Sequence, residues 1–138
     1  MKLVTFDLAS GQRHIGALLP GEQTLVDFTA ATSSPAFADM LALIDAGPAA
    51  LDQAQALLAA AKQPLALADV RLCAPLPEPR QMRDFLCFEK HFRQALANRH
   101  LFDNAGERDP AKVDIPRDWY DEPIYNKCYR FSVVGSVT

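Results

Sequence analysis

The sequence predicts an α+β protein, and three observations carry that prediction. Short runs of alternating apolar and polar residues, punctuated by turn chemistry, open the chain; two helical patterns follow; and a proline-rich segment then leads into a further helix pattern and more strands. Residues 2–8 alternate Leu3/Thr5/Asp7 against Lys2/Val4/Phe6/Leu8, and Ala9-Ser10-Gly11-Gln12 supplies a turn, so 13–19 is expected to return as the second strand of a hairpin. A third strand is expected at 23–28, after Pro20-Gly21. Ser34-Pro35 opens a helix in which Phe37, Met40, Leu41 and Ile44 recur at i, i+3, i+4 and i+7, and Gly47 closes it. Pro48 can start the next helix, and Ala49 to Lys62 is rich in alanine and leucine, both strong helix formers.

Gln63-Pro64 ends that helix, and Ala66 to Ala74 reads as a strand running into Pro75-Leu76-Pro77-Glu78-Pro79. Three alternating prolines have few backbone donors and favour an extended linker. The expected organisation is therefore an accessory module of antiparallel strands and helices at 1–74, a linker at 75–82, and the start of a second domain at 83–138. From Asn98 to Asp118 the chain is polar and carries Gly106, Pro110 and Pro116, which predicts a long loop able to act as a lid. Tyr129 to Val134 reads as a strand that ends with nothing to cap it, leaving an unpaired edge; the expectation is an amino-terminal piece of a longer protein.

The 138 residues are enough to bury a core, and a net charge of -3 with 22% charged residues is ordinary. No basic cluster or basic helix is present, so nucleic acid and membrane surfaces are not expected partners. Apolar stretches are broken well short of the roughly 20 residues that a spanning helix needs, and the amino terminus has no signal-peptide pattern. Cys73, Cys87 and Cys128 form an odd set without Cys-x-x-Cys spacing, which argues against a disulfide framework or a zinc knuckle and points to a reducing cytoplasm. Cys87 is expected to be a small buried hydrophobe.

The stretch Arg83-Asp84-Phe85-Leu86-Cys87-Phe88-Glu89-Lys90-His91 sets a carboxylate and an imidazole seven residues apart. A helix turns about 100° per residue, so seven steps return to within about 20° of the start. If the segment is helical, Asp84 and His91 share a face on the shoulder of a buried stripe formed by Phe85, Phe88, Phe92 and Leu96, where a pocket wall would stand. Spacing alone favours a helix cap or solvated charge at Asp84 and a surface histidine at His91. His14 and His100 are read as structural, the first on a strand and the second at a helix end.

Larger pieces add specificity. The run Val70 to Arg80, then Arg83-Asp84-Phe85 with Phe88 and His91, then Trp119 through Pro123-Ile124-Tyr125-Asn126-Lys127 and Arg130-Phe131-Ser132-Val133-Val134-Gly135 resembles the fumarylacetoacetate hydrolase family in order and spacing. Met1 to Phe6, Arg13 to Leu18 and Leu25 to Phe28 look like that family's amino-terminal region, so the resemblance covers nearly the whole chain and is weakest over 98–118.

The resemblance implies a mixed β-sandwich-roll catalytic domain, a homodimer in the full-length protein, and hydrolysis of a carbon–carbon bond in a 1,3-dicarbonyl or acylpyruvate-type oxo-acid at a divalent metal, Mg2+ or alternatively Ca2+ or Mn2+. Hard cations of this kind prefer oxygen ligands, and such an ion polarises the substrate carbonyls. It further implies that Asp84 binds the metal, that His91 takes a proton from water as the catalytic base, and that Tyr125 and, more weakly, Lys127 bind substrate. The family's other metal ligands, two glutamates at Glu-x-Glu spacing and another aspartate, lie downstream of Ser-Val-Val-Gly and are not among these residues, so the site is expected to be incomplete and the chain alone inactive. Asn126 and Cys128-Tyr129 depart from the tyrosine and the Gly-Asn pair of many relatives, which leaves the substrate open. Glu89 and Glu122 match no ligand. An isomerase, hydratase or decarboxylase of a 2-oxo acid on the same fold is an alternative, and so is a non-catalytic docking or dimerisation fragment.

Overall fold

The computed structural model describes residues 1–99, 101, 106 and 108–135. His100, expected at a helix end, and part of the expected 98–118 loop lie outside the described residues. The fold is mixed α and β, and the chain folds as two compact units, Met1–Arg80 together with the segment from Arg130 onward, and Gln81–Tyr129.

In the first unit, β1 (Lys2–Asp7) and β2 (Arg13–Leu18) form the expected hairpin, pairing Lys2 with Leu18 through Asp7 with Arg13. The turn between them is closed by Leu8 N–H to Gln12 and Gly11 N–H to Leu8, with Gly11 at φ 84°. β3 (Thr24–Asp27) pairs with β2, and two-residue edge strands β4 (Leu65–Ala66) and β5 (Arg71–Leu72) complete an antiparallel sheet of order β4-β3-β2-β1-β5. Gly16 is fixed by close approach: a Cβ there would run into the Val26 carbonyl oxygen of the neighbouring strand.

Asp27 ends β3 and caps α1 (Phe28–Ala31), accepting the Ala30 N–H at 2.9 Å. Its other oxygen lies 2.7 Å from His14 Nδ1. Two helical segments follow as α2 (Met40–Ala60), interrupted at Gly47, whose φ of 69° and ψ of -154° break the helix immediately before Pro48. The buried phase differs from the expected one. Phe37 belongs to a separate 3-10 turn, Pro35–Phe37, and α2 starts from Asp39, whose carboxylate accepts the Ala42 N–H at 2.8 Å. A 3-10 turn has about 3.0 residues per turn rather than 3.6, so the register shifts. Met40, Leu43, Ala50 and Ala54 are buried, while Ile44 is 53% exposed.

The core lies between the sheet and α2, where Ile15, Ala17, Val26, Phe28, Phe37, Met40 and Leu43 pack together. Phe28 meets Phe37 edge to face with centroids 5.7 Å apart. Each such burial stabilises by roughly 1.5–3 kcal/mol. The expected strand over 66–74 is broken by a 3-10 turn at Leu67–Asp69. The proline segment is tied to the sheet, because Cys73 N–H donates to the Thr5 carbonyl at 2.9 Å and Thr5 Oγ1 donates to Pro75 at 2.7 Å. The expected strand at 129–134 is instead a 3-10 turn, Arg130–Ser132, followed by irregular chain. Arg130 accounts for the difference: its guanidinium donates to the Pro79 carbonyl at 3.2 Å and lies 4.3 Å from the Phe131 ring centre.

The second unit contains a two-stranded antiparallel ribbon of β6 (Arg83–Phe85) and β7 (Tyr125–Lys127), the helix α3 (Glu89–Ala97) and the one-turn α4 (Asp118–Asp121). Among the described residues no helix is long and apolar enough to cross a membrane.

One charge cluster fixes a pH dependence for the first unit. Asp7 is buried and is shared by Arg13, at 2.8 and 3.2 Å, and by Arg71. The hydrogen bonds from Arg13 hold its carboxyl below the ordinary carboxylate value against the opposing cost of burial. A depressed folded-state pKa contributes stability that is present above the unfolded-state value, about 3.9, and is lost as pH falls through the folded-state value. Denaturant midpoints measured at pH 6 and at pH 3 should therefore fall on acidification more for the native chain than for Asp7→Asn.

Candidate functional site

The motif residues assemble in the second unit on a ribbon rather than on a helix. β6 and β7, about forty positions apart in the chain, pair Arg83 with Lys127, Asp84 with Asn126 and Phe85 with Tyr125. The Leu86 N–H continues the ladder to the Ile124 carbonyl at 3.2 Å, and Cys128 N–H donates to Met82 at 3.3 Å. This pairing draws residues 83–86 into extended backbone, so α3 begins only at Glu89. The expected shared helical phase of Asp84 and His91 is thus overturned: Asp84 is a strand residue and His91 stands in the first turn of α3.

The expected buried stripe also dissolves. Phe85 is 49% and Phe88 76% exposed, whereas Phe92 and Leu96 on α3 are half-buried. Cys87, expected to be a buried hydrophobe, is exposed because it lies in the link between ribbon and helix. In the first unit, burial pushes the Cys73 thiol up. All three cysteines are free.

Side chains alternate along a strand, and directly opposed residues of an antiparallel pair share a face. Asp84 and Asn126 therefore occupy one face of the ribbon. Tyr125 and Lys127 occupy the other, with Phe85 and Arg83. Contacts agree with this: the Phe85 and Tyr125 rings lie 5.2 Å apart, and the Arg83 guanidinium is 5.0 Å from the Tyr125 ring centre. The geometry brings Tyr125 and Lys127 together and sets Asp84 apart from both. Asp84 and His91 are exposed, and neither has a side-chain hydrogen bond among the described residues.

What joins ribbon to helix is Trp119, whose importance was not legible from local spacing. Its Nε1 donates to the Leu86 carbonyl at 2.7 Å, just after β6, and its ring stacks on Phe92 of α3 at 5.9 Å and 10°. Tyr120 packs edge-on against the same indole at 4.8 Å. Arg93 on α3 binds Glu89 at 2.8 Å and donates to the Val113 carbonyl, tying the helix to the 113–116 segment. Two concavities of this unit, of about 560 and 480 Å3, are lined by Leu96 of α3 with Arg99 beyond its end, and by Glu89, Lys90, Arg93 and Gln94 of α3, rather than by Asp84 or His91.

As to a metal, the donor type on the Asp84 face suits a hard divalent cation, since a carboxylate stands beside the Asn126 carboxamide. The number of donors does not make a site. No group of three His, Cys, Asp or Glu side chains converges among the described residues.

Comparison with family models, with curated proteins and with solved structures finds no match to this chain.

If Trp119 fastens the ribbon, Trp119→Phe should keep the stack on Phe92 but lose the bond to Leu86. Amide hydrogen exchange at Leu86 and along β6–β7 should then speed up by about two- to tenfold, as expected for one net hydrogen bond. Unchanged exchange there would remove Trp119 from that role.

Proposed function

We propose that the chain is the amino-terminal part of a divalent-metal-dependent enzyme similar to the fumarylacetoacetate hydrolase family, acting in the cytoplasm as a homodimer on an acylpyruvate-type oxo-acid and hydrolysing a carbon–carbon bond. The observation that supports this reading is the register of the ribbon. Two motif segments about forty residues apart pair directly, and the carboxylate at their centre, Asp84, is exposed, in register with Asn126, and committed to no cation of the described chain.

When bound, the divalent ion supplies Lewis-acid polarisation of the substrate carbonyls. Asp84 would contribute one oxygen ligand to such an ion. His91, exposed in the first turn of α3 and separated from Asp84 by the short link 86–88, takes the proton from water; an imidazole suits this because it accepts and returns protons near neutrality. Tyr125 and Lys127 enter as substrate contacts through the resemblance alone, because alternation along the ribbon sets them on the face away from Asp84.

The two central roles predict different defects in the full-length parent. A general base acts mainly in the transition state and contributes typically about 10²–10⁴-fold, so His91→Ala should lower kcat by that order and leave metal affinity nearly intact. A carboxylate ligand holds the ion before substrate arrives, so Asp84→Ala should weaken metal binding first and be partly rescued by excess Mg2+ or Mn2+. Initial rates on an acylpyruvate, titrated with either metal, separate the cases. Equal rescue of both variants, or native rates for His91→Ala, would remove His91 as the base.

A further inference from the structure

The first unit contains a cavity of about 340 Å3 lined by Arg13 and Arg130 and by the apolar residues Ile15, Met40, Leu41 and Leu76. That volume lies near the lower end of the range for small-molecule pockets, about 300–1,000 Å3, and an apolar lining with a few oriented polar groups is their usual composition.

Both arginines are already anchored. Arg13 gives its Nε and Nη2 to Asp7 at 2.8 and 3.2 Å, which leaves Nη1 outside that pair. Arg130 gives Nη1 to Pro79 at 3.2 Å and rests over the Phe131 ring. A guanidinium held in place in this way loses little freedom when it takes an anion, and its planar fork matches a carboxylate.

The lining carries two cationic residues, Arg13 and Arg130. Asp7 is shared between Arg13 and Arg71, so that trio keeps one net positive charge. Two acidic residues also line the cavity. Asp39 is occupied as the cap of α2, where it faces the positive end of the helix. Glu78 is exposed to water, which screens its charge.

We infer that this cavity binds a small monocarboxylate with an apolar body, its oxygens on Arg13 and Arg130 and its hydrocarbon against Ile15, Met40, Leu41 and Leu76. Such a site is separate from the ribbon of the second unit and from any metal chemistry there.

The test titrates the full chain, without divalent metal, with phenylacetate, phenethyl alcohol and phenethylamine by calorimetry, while NMR follows the methyl resonances of Ile15, Met40, Leu41 and Leu76. Phenylacetate should bind saturably, at least about tenfold tighter than the alcohol or the amine, in line with a charge-assisted hydrogen bond, and should shift those methyl signals. Arg130→Gln should weaken it by a similar factor. No saturable binding, equal affinity for the amine, shifts centred on the ribbon, or an unchanged affinity in Arg130→Gln would overturn the inference. The ligand series on the native chain decides the matter even if the variant fails to fold. None of the probes carries neighbouring carbonyls and no metal is added, so failure here leaves the proposed metal-dependent activity untouched, and failure of that activity leaves this site standing.

Discussion

The antiparallel register of β6 with β7 is the constraint on which the second unit depends. A two-stranded ribbon is marginal in water by itself, and all six of its residues are exposed. Its cohesion comes from one face, where Phe85, Tyr125 and Arg83 stack, and from its far end, where Trp119 accepts Phe92 as a partner and holds the Leu86 carbonyl. Once the register is set, alternation decides the rest. Asp84 must face one way with Asn126, and the aromatic and cationic residues must face the other. A slip by one residue would exchange the two sets.

In the first unit the equivalent constraint is Asp7. It stands at the end of β1, opposite Arg13 on β2 and Arg71 on β5, and so ties together the central hairpin and an edge strand of only two residues. A buried carboxylate left without partners would be strongly destabilising, whereas here two guanidinium groups and the register enforce each other. The same pairing leaves Arg13 fixed, with Nη1 outside the ion pair.

Much of the first unit was legible in the sequence, because its elements are specified locally. The β1–β2 hairpin follows from alternation and a glycine turn, and the break at Gly47-Pro48 follows from two residues that cannot continue a helix. The phase of α2 was not legible: Ser34-Pro35 opens only a 3-10 turn, and α2 starts from Asp39, with Phe37 packed against Phe28. In the second unit the local signal misled. Periodicity over 84–96 fits one amphipathic helix, yet residues 83–86 find better partners some forty positions away, and main-chain pairing outweighs a helical preference that has only four residues to gain. Long-range pairing of that sort has no signature within a window of a single turn or two.

The route of the chain gives the two units a common logic. Pro79 and Arg130 are bonded to each other in the first unit, and Met82 and Cys128 in the second. The second unit is in this sense an insertion whose ends meet. Closing such a loop costs conformational entropy that grows only slowly with its length, and four hydrogen-bonding groups at its neck help to offset it. The irregular turn at Arg130–Ser132, expected as a strand, makes sense at such a neck. The turn presents the Arg130 guanidinium to the Pro79 carbonyl.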